Sequence, residues 1–362
     1  MEDKKQKVKI LTFHWSNNYG ALLQTFALEK IINTLGYDCS ILDYINQAEK
    51  DNIALFHKSP KKILADILFL YSHVKRNINS KKFRNKLHLS KKIDKEDVLV
   101  VGSDQIWNPL ITGEDLTYFG IGLNSRKVIS YAASMGQNLS SQNIEWFSGG
   151  YKNVETVSVR EKTLKEFIEK NIKGTSKTVT VVLDPTLLID KNTWWPIIKG
   201  KSFNINKPYL FVYTVDTGDN NFVQIVNKIS NLLNLDVVCA GKSIHKNLRF
   251  NRIIKTFGNF GPEVFLHAIW NADFVVTSSF HGTSFALNFN KKFIAYLPRL
   301  NASRVKNLLE LTNLENRIVI SCSDVTNELL NSEIVYETVN EIMNFHRNES
   351  INWLKDALRL EN

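Results

Sequence analysis

The chain has 362 residues, 43% of them hydrophobic, with 16 glycines and 7 prolines, which describes a folded globular protein long enough for two ordinary domains. Its 46 Lys and Arg against 36 Asp and Glu leave a net charge of +10, suited to an anionic ligand or surface, but no winged-helix, zinc or RNA-recognition pattern accompanies it and no nucleic-acid partner is expected. No apolar run reaches spanning length, the N-terminal run is too interrupted for a signal peptide, and Cys39, Cys239 and Cys322 stand too far apart for metal-ligand spacing, so a reducing cytoplasm is the expected compartment.

The first elements set a pattern that recurs. Lys7 to Phe13 reads as a strand, His14 to Gly20 as a turn, and Ala21 to Ile32 as a helix that stops near Gly36 before a second strand, Asp38 to Asp43. This is a βαβ unit whose turn falls at the carboxyl edge of a parallel sheet, where such folds bind ligands. No G-x-G-x-x-G is present, so a dinucleotide fingerprint is missing. Asn18 and Gly20 flank Tyr19 and either shape the turn or leave an amide for a sugar or phosphate.

A basic segment follows, from 58 to 92, with Lys61, Lys62, Lys75 and Arg76 around an apolar helical face of Ile63, Leu64, Ile67, Leu68, Leu70, Tyr71 and Val74. It reads either as a peripheral element on an anionic membrane surface or as an ordinary packed helix with a solvated basic rim.

Val98 to Val101 is the next strand, and Gly102 after it permits a close approach. Ser103, Asp104, Gln105, Trp107 and Asn108 then gather amides, a carboxylate and an aromatic ring, a set suited to the apolar faces and hydroxyl edges of a hexose. Asp104 equally suits a helix cap. Val154 to Val159 ends in Arg160, whose guanidinium can fork onto a carboxylate or phosphate, or pair at the surface with Glu161 or Glu166. In Val181 to Leu188, Pro185 opens a helix and leaves Asp184 at its cap, a structural role.

The domain boundary is expected within 189–207, giving a first domain over 1–195 and a second over 205–335. The second half reads as strands at Tyr209 to Val215, Leu235 to Ala240, Arg252 to Thr256 and Phe274 to Thr277, with helices at Asn221 to Leu233 and Pro262 to Asn271. After the last of these strands come Ser278, Ser279, His281, Gly282 and Thr283, then a helix bearing Phe285, Leu287 and Phe289. A helix N-terminus there favours an anion, and a histidine in it can move protons near neutral pH. Residues 336–362 have helical spacing and are expected to pack back on the first domain.

Five of these places together resemble the polysaccharide pyruvyl transferase family: Asn17-Asn18-Tyr19-Gly20-Ala21, Gly102-Ser103-Asp104-Gln105-Ile106-Trp107-Asn108, Ser158-Val159-Arg160-Glu161, Leu183-Asp184-Pro185-Thr186 and Ser278-Ser279-Phe280-His281-Gly282-Thr283, in the family's order. The resemblance implies an α/β chain of two Rossmann-like domains facing across a cleft, GT-B-like. It also implies transfer of the pyruvyl group of phosphoenolpyruvate to a sugar or lipid-linked oligosaccharide, with a pyruvate ketal formed and phosphate released. On that basis His281 and Arg160 are the expected catalytic pair. Ser278, Ser279, Gly282, Thr283 and Arg304 are the expected phosphoenolpyruvate contacts. The acceptor falls to Asn18, Tyr19, Gly20, Ser103, Asp104, Gln105, Trp107 and Asn108. No cofactor is expected, since phosphoenolpyruvate is a co-substrate, and no Asp/His cluster demands a metal. The alternatives left open are a glycosyltransferase using a nucleotide sugar on the same fold and a non-catalytic carbohydrate-binding protein.

Overall fold

The computed structural model describes residues 5–14, 18–54, 60–74, 89–136, 143–200, 205–215, 219–241, 248–257, 260–298 and 303–360. Trp15 to Asn17 of the first turn, Lys58, Lys75, Arg76 and the rest of the basic run to 88, Lys201, Ser202, Asn301 and Ala302 lie outside the described residues. The chain divides into two units, one within 1–58, 67–188 and 345–362, the other within 59–66 and 189–344.

The first unit carries β1 (Lys7–Leu11), β2 (Asp38–Ile41), β3 (Val98–Asp104), β4 (Lys127–Ala133), β5 (Thr156–Val159) and β6 (Val179–Val181). They form one sheet in the order β2-β1-β3-β4-β5-β6, every neighbouring pair parallel. All seven residues of β3 are buried, as a central strand covered on both faces requires. The order reverses between β1 and β3, which makes the turns after these two strands a switch point.

The second unit carries β7 (Tyr209–Thr214), β8 (Asp236–Gly241), β9 (Ile253–Phe257), β10 (Phe274–Thr277), β11 (Phe293–Tyr296) and β12 (Ile318–Val319). Their order, β12-β11-β10-β7-β8-β9, is again parallel throughout, and it reverses between β7 and β10. Counted from β7, this is the strand order of a dinucleotide-binding sheet, built without its glycine fingerprint. The expected α/β architecture of two Rossmann-like units is the one observed.

Core packing places several residues that the pattern alone left open. In the first unit Trp107 is fully buried, stacked on Phe119 with ring centroids 5.0 Å apart, and its indole N–H donates to the Tyr118 carbonyl at 3.1 Å. Helix Lys191–Ile198 packs in the second unit, with Trp194 edge-on to Phe285. The long helix Tyr336–Leu358 ends in the first unit, as expected. There Arg347 Nε donates to the Leu187 carbonyl at 2.9 Å, and Ser350 Oγ accepts from Leu183 N–H at 3.0 Å.

Helix Pro60–His73 corrects the reading of the basic segment in part. Lys62 is buried and paired with Asp66 one turn on, so it is not a surface lysine. Phe69, Leu70 and Val74 are buried, while Ile63, Leu64 and Leu68 remain 43%, 57% and 55% exposed. No helix among the described residues is long and apolar enough to cross a membrane.

Candidate functional site

At the switch point of the second sheet, hydroxyls take the place of charges. Thr277, the last residue of β10, donates through Oγ1 to the Tyr213 carbonyl at 2.6 Å and accepts the Ser279 N–H at 3.0 Å. Ser278 Oγ and Thr214 Oγ1 lie 2.6 Å apart, joining the ends of β10 and β7. Ser279 is the N-cap of helix Phe280–Asn288, its hydroxyl accepting from Gly282 N–H at 3.4 Å. Thr283 donates to the Ser279 carbonyl from both N–H and Oγ1, at 3.0 and 3.1 Å.

Gly282 is required here for space: a Cβ on it would lie 2.2 Å from Thr277 Oγ1. The turn and the first helical turn therefore close tightly on the end of β10. His281 sits in that first helical turn, only 2% exposed, its ring edge-on to Phe280 at 5.3 Å. The structure thus brings Ser278, Ser279, His281, Gly282 and Thr283 to one place. It also shows that the Ser279 hydroxyl caps the helix and the Thr283 hydroxyl bonds back to the Ser279 carbonyl, leaving the half-buried Ser278 as the outermost of the set. Arg304 is half-buried near the start of helix Ser303–Leu311.

The carboxyl edge of the first sheet is the opposite kind of surface. Arg160, beyond β5, is buried among three carboxylates: Nη1 donates to Asp184 at 2.7 Å, Nε to Glu161 at 3.4 Å and Nη2 to Asp104 at 3.5 Å. Burial alone would lower the guanidinium pKa, but Asp184, Glu161 and Asp104 outweigh it and hold the group above its ordinary value. The pairing with Glu161 is real, but it is buried rather than superficial.

Glu161 stands at the N-cap position of helix Lys162–Asn171 and makes no capping bond; its carboxylate turns inward to Arg160 and the Ser134 hydroxyl. Asp184 does cap its helix, accepting from Thr186 N–H at 3.0 Å, and binds Arg160 as well. Of the two roles open to Arg160, anion contact or pairing with a neighbouring acid, the structure shows the pairing, extended to Asp184 and Asp104.

The remaining acceptor candidates divide. Asn18 caps helix Tyr19–Thr34 by accepting from Gly20 N–H at 2.9 Å, with Tyr19 and Gly20 buried in the first turn. Asn108 caps helix Pro109–Thr112 and donates to Gln105 Oε1 at 2.9 Å. Ser103 is fully buried and donates to the Ala132 carbonyl at 3.1 Å. Trp107 is a core residue, so its ring is no platform for a sugar. Gly102 does permit a close approach, but to the Tyr131 carbonyl of the neighbouring strand, which a Cβ would meet at 2.3 Å. Gln105 is half-buried at this edge, while Asp104 is buried, at a φ of +69°.

Reading the sequence did not single out a second cluster on the same edge. His14, beyond β1, is fully buried and lies 2.8 Å through Nε2 from Asp43 Oδ1, beyond β2. Glu49 accepts the Tyr118 hydroxyl at 2.5 Å. Burial pushes the Glu49 carboxyl up to about 7, against the hydrogen bond from Tyr118 and the nearby His14, and with help from Asp104. His14 and Asp43 each follow a strand of the first βαβ unit, a signal that could have found them. Glu49 and Tyr118 are 69 residues apart, with no local pattern to link them. Among the described residues no group of three or more His, Cys, Asp or Glu has a metal-holding arrangement.

Two parallel sheets, each ending in polar turns at its switch point, define a GT-B-like α/β enzyme fold. Solved structures agree at the level of fold. The S. aureus MnaA–UDP complex matches with a TM-score of 0.59 at 12% identity over 99% of both chains. A UDP-N-acetylglucosamine 2-epimerase described as putative from Listeria monocytogenes gives 0.55 at 11% over 95% of this chain and 94% of its own. The UDP-N-acetylglucosamine 2-epimerase of Rickettsia bellii gives 0.54 at 9% over 97% and 96%. No curated protein matches the chain in sequence. The family itself is settled by the model for polysaccharide pyruvyl transferase, which matches residues 18–298: the chain belongs to that enzyme family.

Proposed function

We infer that this protein transfers the pyruvyl group of phosphoenolpyruvate to two hydroxyls of a hexose, in a cell-surface polysaccharide or its lipid-linked precursor. The observation that carries this reading is the contrast between the two sheet edges. Phosphoenolpyruvate bears a carboxylate and a phosphate, and a helix N-terminus lined with hydroxyls favours such an anion. The Ser278 to Thr283 turn is of that kind. An edge crowded with Asp43, Glu49, Asp104, Glu161 and Asp184 repels the donor and suits a neutral polyol, whose hydroxyls donate to carboxylates.

The reaction balances without a redox partner. One hydroxyl oxygen bonds to C2 while a proton reaches C3, making the methyl group. The second hydroxyl oxygen displaces phosphate from C2, and its proton leaves with the phosphate. His281 is the group assigned to proton delivery, at C3 or at the departing phosphate oxygen. Ser278 and the positive end of helix Phe280–Asn288 hold the anion. Arg160 acts as a positioning residue that fixes Asp104 and Glu161.

The protein works in the cytoplasm, where phosphoenolpyruvate is found, with helix Pro60–His73 meeting an anionic membrane through Lys61, Ile63, Leu64 and Leu68. The test of the function is phosphate release from phosphoenolpyruvate in the presence of pyruvate-free polysaccharide and lipid-linked oligosaccharide acceptors, with the ketal methyl group followed by proton NMR. Phosphate release that depends on acceptor is expected. Thermal stabilisation by UDP sugars, with none by phosphoenolpyruvate and no phosphate release, would replace this reading with a nucleotide-sugar transferase.

A further inference from the structure

We propose that Asp43 is the residue that receives an acceptor hydroxyl at the first sheet edge, and that His14 positions it through a proton held between the two. The proposal rests on the pyruvyl-transfer reading only in taking the acceptor to be a neutral sugar.

The donor and acceptor rules fix the proton. His14 Nδ1 lies 3.1 Å from the Thr12 carbonyl, which can only accept, so Nδ1 carries the hydrogen. Nε2 lies 2.8 Å from Asp43 Oδ1. A neutral imidazole with its hydrogen on Nδ1 facing an ionised carboxylate would set two lone pairs against each other. The contact therefore contains a proton, as imidazolium with carboxylate or as imidazole with carboxylic acid.

The two partners are unequally placed. The His14 side chain is 1% exposed and that of Asp43 12%, so the carboxylate is the outward member and the imidazole stands behind it. This inverts the familiar order, in which a carboxylate sits behind a reactive histidine.

The surroundings hold the pair in register. The segment leading from β2 to Asp43 is fixed by Leu42 N–H donating to the Ile10 carbonyl at 2.8 Å, and β1 and β2 are adjacent and parallel. Thr12 Oγ1 donates to the Ser103 carbonyl at 2.9 Å, tying the end of β1 across the switch point to β3. Glu49 is near enough for His14 to act on its carboxyl electrostatically. A carboxylate has about four acceptor positions, so one oxygen can serve His14 while the carboxylate still receives a sugar hydroxyl. The shared proton keeps the pair from adding a further net charge to an already acidic edge.

The test uses the full chain and methyl β-glucoside, methyl β-galactoside and methyl β-mannoside as probes, read by saturation-transfer NMR and, where turnover occurs, by acceptor KM. Proton NMR of the unliganded protein should show a downfield, slowly exchanging hydrogen in the His14–Asp43 contact. That hydrogen should vanish in Asp43→Asn, with the amide spectrum otherwise intact. Asp43→Asn should weaken hexoside binding, or raise acceptor KM, by about tenfold or more, the scale of one hydrogen bond to a charged group, with phosphoenolpyruvate KM unmoved. His14→Gln, as a second variant, should give a smaller loss in the same parameter.

Unchanged hexoside binding in Asp43→Asn overturns the proposal, as does the absence of a hydrogen shared between His14 and Asp43, or a wild-type protein that binds none of the three hexosides. Hexoside binding that depends on Asp43, in a protein that releases no phosphate from phosphoenolpyruvate, instead sinks the pyruvyl-transfer reading and leaves this one standing.

Discussion

The two carboxyl edges solve the same topological problem with opposite chemistry. In the second unit the ends of β7 and β10 are joined by neutral hydroxyls, Thr214 with Ser278 and Thr277 with the Tyr213 carbonyl. In the first unit the ends of β1 and β3 are joined by Thr12 and Ser103, but the space beyond is filled with carboxylates around Arg160 and His14. Both switch points place turns where parallel sheets bind ligands. On the proposed reading, the neutral edge with its helix N-terminus takes the anionic donor and the acidic edge takes the hydrogen-bond-donating acceptor. The lesson is that a strand–turn–helix pattern locates a binding edge, while the charges that meet there decide what binds.

The contrast would break most visibly at His281. His281→Gln should lower turnover by about 10²–10⁴-fold, the usual contribution of a general acid, while phosphoenolpyruvate still binds. Single-turnover phosphate release alongside a direct binding titration separates the two. Lost binding with unchanged chemistry at saturation would make His281 an anion-positioning residue.

Arg160 tests the first edge. Arg160→Ala leaves Asp104, Glu161 and Asp184 buried without their cation and should cost roughly 3–5 kcal/mol in urea unfolding, with part of this recovered in Arg160→Lys. Wild-type stability with lost phosphoenolpyruvate affinity would move the donor to this edge and dissolve the comparison.

Glu49 sharpens the account of the same edge through pH. Its folded pKa, about 7, lies above the ordinary 4.5, so the folded state binds the proton more tightly and stability falls as pH rises between those values. The full loss is about 3 kcal/mol at 1.36 kcal/mol per unit. Glu49→Gln keeps an acceptor for the Tyr118 hydroxyl and should remove this slope, gaining on the wild type at about pH 8 but not at about pH 4. Parallel urea curves for the two proteins at both pH values would refute it.

The smallest effect belongs to the exposed apolar residues of helix Pro60–His73. Replacing Leu64 and Leu68 by Ser should reduce pelleting with anionic vesicles by a few-fold, since each is only half exposed and full burial of a leucine is worth about 1.5–3 kcal/mol. Binding should also weaken with salt as screening shortens to about 8 Å. Equal, negligible pelleting with neutral and anionic vesicles would leave an ordinary packed helix.

Much of this edge chemistry was legible only in outline. The strand, the polar turn and the helix with inward Phe285 and Leu287 could be read directly, because contiguous elements carry their own signals, though the helix begins at Phe280, inside the expected turn. Pro185 and Asp184 were readable as a helix start for the same reason. Trp107 misled because an aromatic next to amides looks alike whether it faces sugar or Phe119. The Arg160–Glu161 pairing was legible as a neighbour contact, but not its burial, because Ser134 and Arg160 draw the carboxylate inward from an N-cap position.

The sequence by itself determined two units of parallel strands and helices, and the turns at which each sheet ends, because strand and helix periods and cap residues act over a few neighbours. Tertiary structure alone decided that Asp104, Glu161 and Asp184 converge on Arg160, that His14 meets Asp43, and that Glu49 meets Tyr118. Those meetings depend on the order β2-β1-β3-β4-β5-β6, which brings turns distant in the chain to one edge. They also depend on burial, which strengthens Coulomb and hydrogen-bond interactions that water would otherwise screen.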